Sequence, residues 1–201
     1  MKCFKSHCLV NGFTLVELML AISLGVLFFA LSICLINRDL ALGNAMAQRL
    51  RERGLQQRSL NLIKEDLARG HGWMVDPPYS NRWPCSLAGR RSVLAIATAS
   101  DDPEARGRAI VYSVGSAPSP IWRRQVLMRC GPAFGLNGEP NFAGSFLNRV
   151  LIDGLPSPLS NGELGFIARP DPLLPVLRLE LEQQFQVPGG KIRRIRSATA
   201  F

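Results

Sequence analysis

A single acidic residue lies inside an otherwise uncharged apolar segment near the N-terminus of the chain. Phe13 to Ile36 is a run of 24 residues in which Glu17 is the one charged side chain. A carboxylate near the centre of a membrane helix costs about 2.5–3.5 kcal/mol, and less near the helix end, where Glu17 stands. Because the run contains no Lys or Arg, a partner for Glu17 must be a polar group elsewhere, another chain or a newly made α-amine. A carboxylate that snorkels to the lipid headgroups is the alternative.

The apolar run predicts a membrane-spanning helix, since about 20 apolar residues cross a bilayer in helical form. Lys2 and Lys5 precede it without an accompanying acid. This favours a cytoplasmic N-terminus and places the rest of the chain across the membrane. An ordinary signal anchor, or a secretory signal peptide cut after the run, is the alternative. The small-x-small sites for such a cut are weak, and Glu17 is unusual in a signal peptide.

The residues around Glu17 form a specific motif. The stretch Gly12-Phe13-Thr14-Leu15-Val16-Glu17-Leu18-Met19 follows a short basic leader. It resembles the class III signal of type IV pilins and type II secretion pseudopilins. The resemblance implies that a prepilin peptidase cleaves between Gly12 and Phe13 and N-methylates Phe13. It also implies that Glu17 neutralises the N-terminal amine of a neighbouring subunit during filament assembly.

A weaker resemblance covers much of the remaining chain. Residues 62–69, with the glycine-rich step 70–73, look like the end of the helical spine in PilW-type minor pilins and J-type pseudopilins. The resemblance implies a structural subunit of a type IV pilus or type II secretion filament that acts in assembly initiation or at the tip. Its partners would be other pilins, the prepilin peptidase and inner-membrane lipid. The head would be periplasmic, and the protein would later reach the filament at the cell surface.

Catalytic chemistry is not expected. His71 is the one histidine beyond the leader, it lies between glycines, and no Ser/His/Asp or Cys/His set can be assembled with it. There is no phosphate-binding P-loop. We therefore expect no enzyme activity, catalytic residue, cofactor, metal or small-molecule substrate. The acidic stretch 101–104 offers oxygen ligands for Ca²⁺, but a solvated turn is the favoured interpretation.

Cysteine positions suggest one covalent link. Of the five cysteines, Cys3 and Cys8 lie in the leader and Cys34 in the apolar run, which leaves Cys85 and Cys130. Two cysteines outside the cytoplasm suggest a disulfide. It would close a loop of about 46 residues, worth about 4 kcal/mol in the chain-entropy model. Two free buried thiols are the alternative.

The net charge of +9 makes the chain basic, although the cations are spread along the sequence. The densest cluster is Lys191, Arg193, Arg194 and Arg196. It could bind DNA or another anionic surface, which would make the protein a filament-borne DNA-binding subunit for uptake or adhesion. The favoured alternative is an edge strand on which charges block unwanted pairing, because the cluster lacks the aromatic side chains that stack on single-stranded bases.

The elements that position these residues indicate an α+β fold. The chain from 37 to 69 is rich in helix-forming residues, carries an apolar stripe at Leu60, Ile63 and Leu67, and ends in Arg69-Gly70. If continuous, 13–69 is a helix on the order of 85 Å long. Period-2 patterning then predicts antiparallel strands, most clearly at 176–185. The other predicted strands are 92–99, 108–114, 121–128, 149–152, 164–168 and 192–196, with a long loop at 130–148.

The predicted organisation has four parts. Residues 1–12 form the leader, 13–36 the transmembrane and assembly helix, 37–70 the amphipathic continuation of the helix, and 71–201 a β-rich head. Together they correspond to the lollipop shape that the pilin resemblance implies. The apolar stripe of the helix is expected to cover one face of the sheet. The other face would be solvated or packed on a neighbouring subunit.

Overall fold

The computed structural model describes residues 14–81, 83–98, 108–157, 164–187 and 190–201. Within them one α-helix is followed by antiparallel strands, which confirms the α+β class. The elements are α1 (Leu15–Arg69), β1 (Gly70–Val75), β2 (Arg91–Thr98), β3 (Ala109–Ser116), β4 (Gln125–Pro132), β5 (Phe146–Leu155), β6 (Phe166–Pro170), β7 (Leu177–Gln186) and β8 (Ile192–Ala200).

Helix α1 contains the predicted membrane run and the predicted continuation in one element. It ends as expected, with Arg69 in its last turn, next to the negative end of the helix dipole, and Gly70 directly after it. Gly43 and Gly54 both lie inside the helix. The chain forms two compact units, residues 1–46 and 47–201. The boundary divides the predicted continuation 37–70, so the last part of α1 belongs to the same unit as the strands.

In the first unit, α1 is long and apolar enough to cross a membrane. Its large apolar side chains from Leu15 to Leu42 are exposed in the isolated chain. A helix that is apolar on all sides is usually buried in a protein core or in a membrane, because water solvates its side chains poorly. The first unit is therefore consistent with a single-pass membrane anchor.

The second unit holds two antiparallel sheets. Strands β1 to β5 form a meander in sequence order, and β6, β7 and β8 form a smaller sheet in the order β6-β7-β8. Consecutive strands pair in each sheet, which needs only local connections. In β7 the apolar residues Leu177, Leu179 and Leu181 are buried while the intervening residues are exposed or half-buried, which confirms the period-2 prediction.

The main core lies between the last part of α1 and the two sheets. The predicted stripe is confirmed, because Leu60, Ile63 and Leu67 are all buried in this core. Apolar residues of both sheets join the same cluster, including the following side chains: Leu94, Ile96, Ile110, Leu127, Ile152, Phe166, Leu179 and Leu181. One helix thus covers an apolar face that the two sheets share, and burying that face is the main driving force for folding.

Three predictions need correction. Strand β1 was not anticipated, because Gly70-His71-Gly72 has low strand propensity; its place is decided by pairing with β2. The predicted 130–148 loop is shorter, since β4 runs to Pro132 and β5 begins at Phe146. The predicted strand 121–128 begins only at Gln125. Residues 121–124 instead complete the β3–β4 connection, where Arg124 has a left-handed backbone (φ 57°).

The face of the larger sheet that points away from α1 is partly covered by the chain itself. A second buried cluster forms there from Leu87, Ala95, Val111 and Cys130, with Trp83 packed against it. The segment 83–87 therefore folds back over this face and is held there by side-chain packing.

Candidate functional site

The first turn of α1 contains a capping box formed by Thr14 and Glu17. The backbone N–H of Thr14 donates to Glu17 Oε2 at 3.0 Å, and the Thr14 hydroxyl donates to the same oxygen at 2.8 Å. In return the backbone N–H of Glu17 donates to the Thr14 hydroxyl oxygen at 3.4 Å. Such a pair satisfies two of the backbone donors that a helix start leaves unpaired. The polar partner that Glu17 requires is thus provided in part by its own chain.

The second carboxylate oxygen of Glu17 remains available. No hydrogen bond to Oε1 is present within the described residues, and the side chain carries no ion pair there. The local pairing also keeps the carboxylate at the helix N-terminus, where the helix dipole favours a negative charge. Thr14 therefore holds Glu17 through Oε2, and among the described residues no group donates to Oε1.

The residues predicted for peptidase recognition lie outside the described residues. This applies to Gly12 and to Phe13, the predicted site of cleavage and N-methylation. The acidic stretch 101–104 lies outside them as well. Their predicted roles stay predictions.

Cys85 and Cys130 form the predicted disulfide, with a Cα–Cα distance of 6.0 Å. The alternative of two free thiols is wrong. The bridge joins the segment that crosses the outer sheet face to the middle of that sheet, where Cys130 is buried on β4. It therefore anchors the 83–87 segment covalently over the second cluster. Within the described residues Cys34 is the free cysteine, and it is exposed on the apolar helix.

The structure divides the predicted basic cluster into two pairs. Arg194 and Arg196 lie on β8 opposite β7 and contact acids of that strand, at 3.7 Å from Glu182 and 2.8 Å from Glu180. Lys191 and Arg193 make no ion pair within the described part of the chain and are exposed. Because β8 is an edge of the smaller sheet, this arrangement supports the edge-strand interpretation. His71 lies exposed on the edge strand β1.

A buried ionic group, which the sequence reasoning missed, connects α1 to the larger sheet. Arg129 of β4 donates to both carboxylate oxygens of Asp66, at 2.6 Å and 2.9 Å. The Tyr112 hydroxyl of β3 donates to the same carboxylate at 2.5 Å. All three side chains are almost fully buried. This bidentate geometry is the strongest form of the Arg–carboxylate pair.

Further contacts surround the Arg129 guanidinium. Arg129 Nη1 also donates to the Pro132 carbonyl at 3.4 Å, and the guanidinium lies 5.4 Å from the centroid of the Phe134 ring. Gly131 leaves the space that the guanidinium fills, since a Cβ there would lie 2.4 Å from Nη1. Burial lowers the pKa of Arg129, but its hydrogen bonds to Asp66 and the charge of Asp66 outweigh burial and raise that pKa. Burial, assisted by the charge of Asp66, raises the pKa of Tyr112 well above its ordinary value.

A second polar set lies on α1 nearer residue 47. Glu52 and Gln56 are buried against the smaller sheet, where Gln183 donates to Glu52 at 2.8 Å and Gln56 donates to the Ile195 carbonyl at 3.2 Å. Ser197 donates to the Gln56 side-chain oxygen at 2.6 Å. The buried face of α1 therefore carries polar side chains at Glu52 and Gln56, and Asp66 among the apolar residues of its last turns. A signal for both sets existed in the sequence, because Asp66, Gln56 and Glu52 lie on the same helical face as Leu60 and Ile63.

Comparisons with known proteins identify no relative. No protein-family model matches the chain, and searches of curated proteins and of solved structures give no match either. The function must therefore be argued from the residues and their geometry.

Proposed function

We propose that this protein is a minor pilin or pseudopilin, a structural subunit of a type IV pilus or a type II secretion filament. The observation that carries the proposal is the start of α1: an exposed apolar helix begins at a capping box in which Thr14 holds Glu17 through Oε2, while Oε1 has no donor among the described residues. The proposal joins this geometry to the Gly12-Phe13 motif that precedes it in the sequence. The subunit is processed after Gly12, is held in the inner membrane by α1 and carries its β-rich unit on the periplasmic side.

In this mechanism Glu17 acts as the assembly contact. Processing creates a positively charged amine at Phe13, and the carboxylate of a neighbouring subunit meets it within the membrane. An opposite charge a few ångströms away offsets the cost of removing the carboxylate from water. The capping box keeps the Glu17 side chain in place before assembly, so less conformational entropy is lost when the neighbour binds.

Close packing of the α1 side chains against other helices provides the remaining assembly energy. Its side chains contact lipid before assembly and would contact the helices of other subunits in the filament. Since lipid and Leu side chains are similarly apolar, close packing and polar pairing decide the association. One charge pair at a fixed depth thus sets the register between helices.

The first experiment tests processing. Intact-mass measurement of protein from native membranes should show loss of residues 1–12 and one added methyl group on Phe13. Gly12→Val should block cleavage, because a β-branched side chain replaces the glycine at the cut. An uncleaved wild-type chain in a host that has the peptidase, or a mature N-terminus after Ile36, would refute the proposal.

The second experiment separates the charge of Glu17 from its capping role. Glu17→Gln removes the charge, but a glutamine at this position can still close a capping box with Thr14. Thr14→Ala is the matched control, since it removes both hydrogen bonds of the Thr14 hydroxyl, leaves the backbone N–H bond to Glu17 and keeps the charge. We expect Glu17→Gln to be inserted and cleaved normally but to be depleted from sheared filaments, whereas Thr14→Ala retains substantial incorporation. Full incorporation of Glu17→Gln would leave snorkelling as the better account of the carboxylate.

A further inference from the structure

Cations that are spread along the sequence gather at one end of the 47–201 unit. Three parts of the chain meet there: the first turns of α1 in this unit, the β3–β4 connection and the start of β8. Gln48 donates to the Gln186 carbonyl at 3.1 Å, and Arg123 lies 3.8 Å from Glu52. These contacts place the β3–β4 connection and the end of β7, where Gln186 pairs with Ile192 of β8, beside the turns of α1 that follow residue 47. The cations at this end are Arg49, Arg51, Arg53, Arg123, Arg124, Lys191, Arg193 and Arg194.

The acids at this end are fewer, and each is already paired. Within the described residues they are Glu52 and Asp153, both contacted by Arg123, and Glu182, contacted by Arg194. Lys191 and Arg193 have no such partner there, and the three arginines at 49, 51 and 53 are likewise exposed without an ion pair. The end therefore carries a net positive charge that nothing in the described chain neutralises.

Exposed apolar side chains accompany these cations. Ile121 is 76% exposed, and Ile192, beside Lys191, is 55% exposed. Trp122 is also exposed, and a hydrogen bond from its backbone N–H to the Ser119 carbonyl at 3.2 Å shapes the connection that carries it. Arg and Lys together with Trp and Ile form the composition that favours the headgroup region of a bilayer.

We propose that this end, hereafter the basic end, binds the surface of an anionic phospholipid bilayer. The connectivity of the chain favours a bilayer over other anionic partners. Only residues 37–46 separate the predicted membrane run from this unit, and in helical form they rise about 15 Å. A surface tethered this closely to a membrane meets lipid at a high effective concentration. Each Lys or Arg near an anionic bilayer adds to the attraction, within a Debye length of about 8–10 Å.

This inference rests on the membrane anchoring in the proposed function, but not on filament assembly. Lipid contact holds the basic end against the bilayer, and in a filament subunit neighbouring subunits would replace that contact during assembly. Filament entry would then require release of these side chains from the headgroups.

The experiment uses the full chain in lipid nanodiscs and follows Trp122. Nanodiscs contain either phosphatidylcholine alone or a mixture with phosphatidylglycerol, each with brominated acyl chains that quench nearby tryptophan. The contribution of Trp122 is the quenching that Trp122→Phe loses. We expect it to be at least twofold larger with phosphatidylglycerol and to fall to the phosphatidylcholine value in about 0.5 M salt, because salt screens exposed charges.

Charge variants locate the contact. Lys191→Gln with Arg193→Gln, two cations without ion pairs within the described residues of the basic end, should lower Trp122 quenching toward the phosphatidylcholine value. Arg149→Gln with Arg178→Gln is the matched control, since it removes the same charge from exposed strand residues elsewhere in this unit. Equal quenching in the two lipids, or an equal loss in the control, would overturn the proposal.

Two further measurements, DNA binding and cleavage after Gly12, distinguish this proposal from the alternatives. Short duplex DNA that binds the nanodisc-held protein tightly, while lipid charge leaves Trp122 unchanged, would assign the basic end to nucleic acid and also overturn the proposal. Failure of cleavage after Gly12 would remove the pilin proposal and leave the lipid result intact, because the nanodisc measurement requires no processing.

Discussion

The substitution Asp66→Asn should be among the most destabilising single changes of a charged residue in this chain. It preserves the size of the side chain and removes the negative charge that faces Arg129. The guanidinium is almost fully buried, and its remaining contacts, the Pro132 carbonyl and the Phe134 ring, carry no full negative charge. Breaking a buried ion pair by removing one partner typically costs about 3–5 kcal/mol.

That cost is large relative to the stability of an ordinary domain, about 5–15 kcal/mol. For a unit of this size it corresponds to a fall in Tm of about 6–20 °C. The assay is urea and thermal unfolding of the full chain in detergent, followed by the fluorescence of its tryptophans. The control is Glu65→Gln, which removes the same charge from the next residue, an exposed side chain 3.7 Å from Arg69. An exposed pair of this kind contributes at most about 1 kcal/mol.

Replacement of the whole group tests the reasoning further. Asp66→Leu, Arg129→Met and Tyr112→Phe together remove every charge and the hydroxyl at once. Because no buried charge is left without a partner, the combined variant should recover most of the stability that Asp66→Asn loses. If Asp66→Asn unfolds at the same urea concentration as Glu65→Gln, the carboxylate does not hold the buried charge and the reasoning is refuted.

Two further predictions concern Cys85, Cys130 and Tyr112. Cys85→Ser with Cys130→Ser should lower the free energy of unfolding by about 4 kcal/mol, because the unfolded chain regains the conformational freedom that the closed loop removes. Non-reducing peptide mapping should find the two wild-type cysteines linked. Quantitative alkylation of both cysteines without reductant would contradict the disulfide. The raised pKa of Tyr112 means that its stabilising contribution is complete below pH 10.0, the ordinary value, and is lost as the pH rises through the folded-state pKa. Urea unfolding should therefore show stability falling more steeply above pH 10 in the wild type than in Tyr112→Phe, and parallel profiles would argue against it.

The sequence by itself determined the features that depend on local pattern. The apolar run of 24 residues predicts a helix able to cross a membrane without any tertiary information. The stripe at Leu60, Ile63 and Leu67 and the alternation in β7 follow from the 3.6- and 2-residue periods, so the helix face and the strand face were both predictable. The pairing of Cys85 with Cys130 was favoured because two cysteines remained.

Tertiary structure decided the features that join distant residues. Strand β1 has poor intrinsic propensity and exists because β2 offers a partner edge. Asp66 and Arg129 are 63 positions apart, and the fold alone brings them within 2.6 Å. Cations from the helix, the β3–β4 connection and β8 form one basic end because the antiparallel connections return them to the same place. Local sequence encodes periodicity, but which charges meet depends on long-range packing, where the burial of apolar surface outweighs any single polar preference.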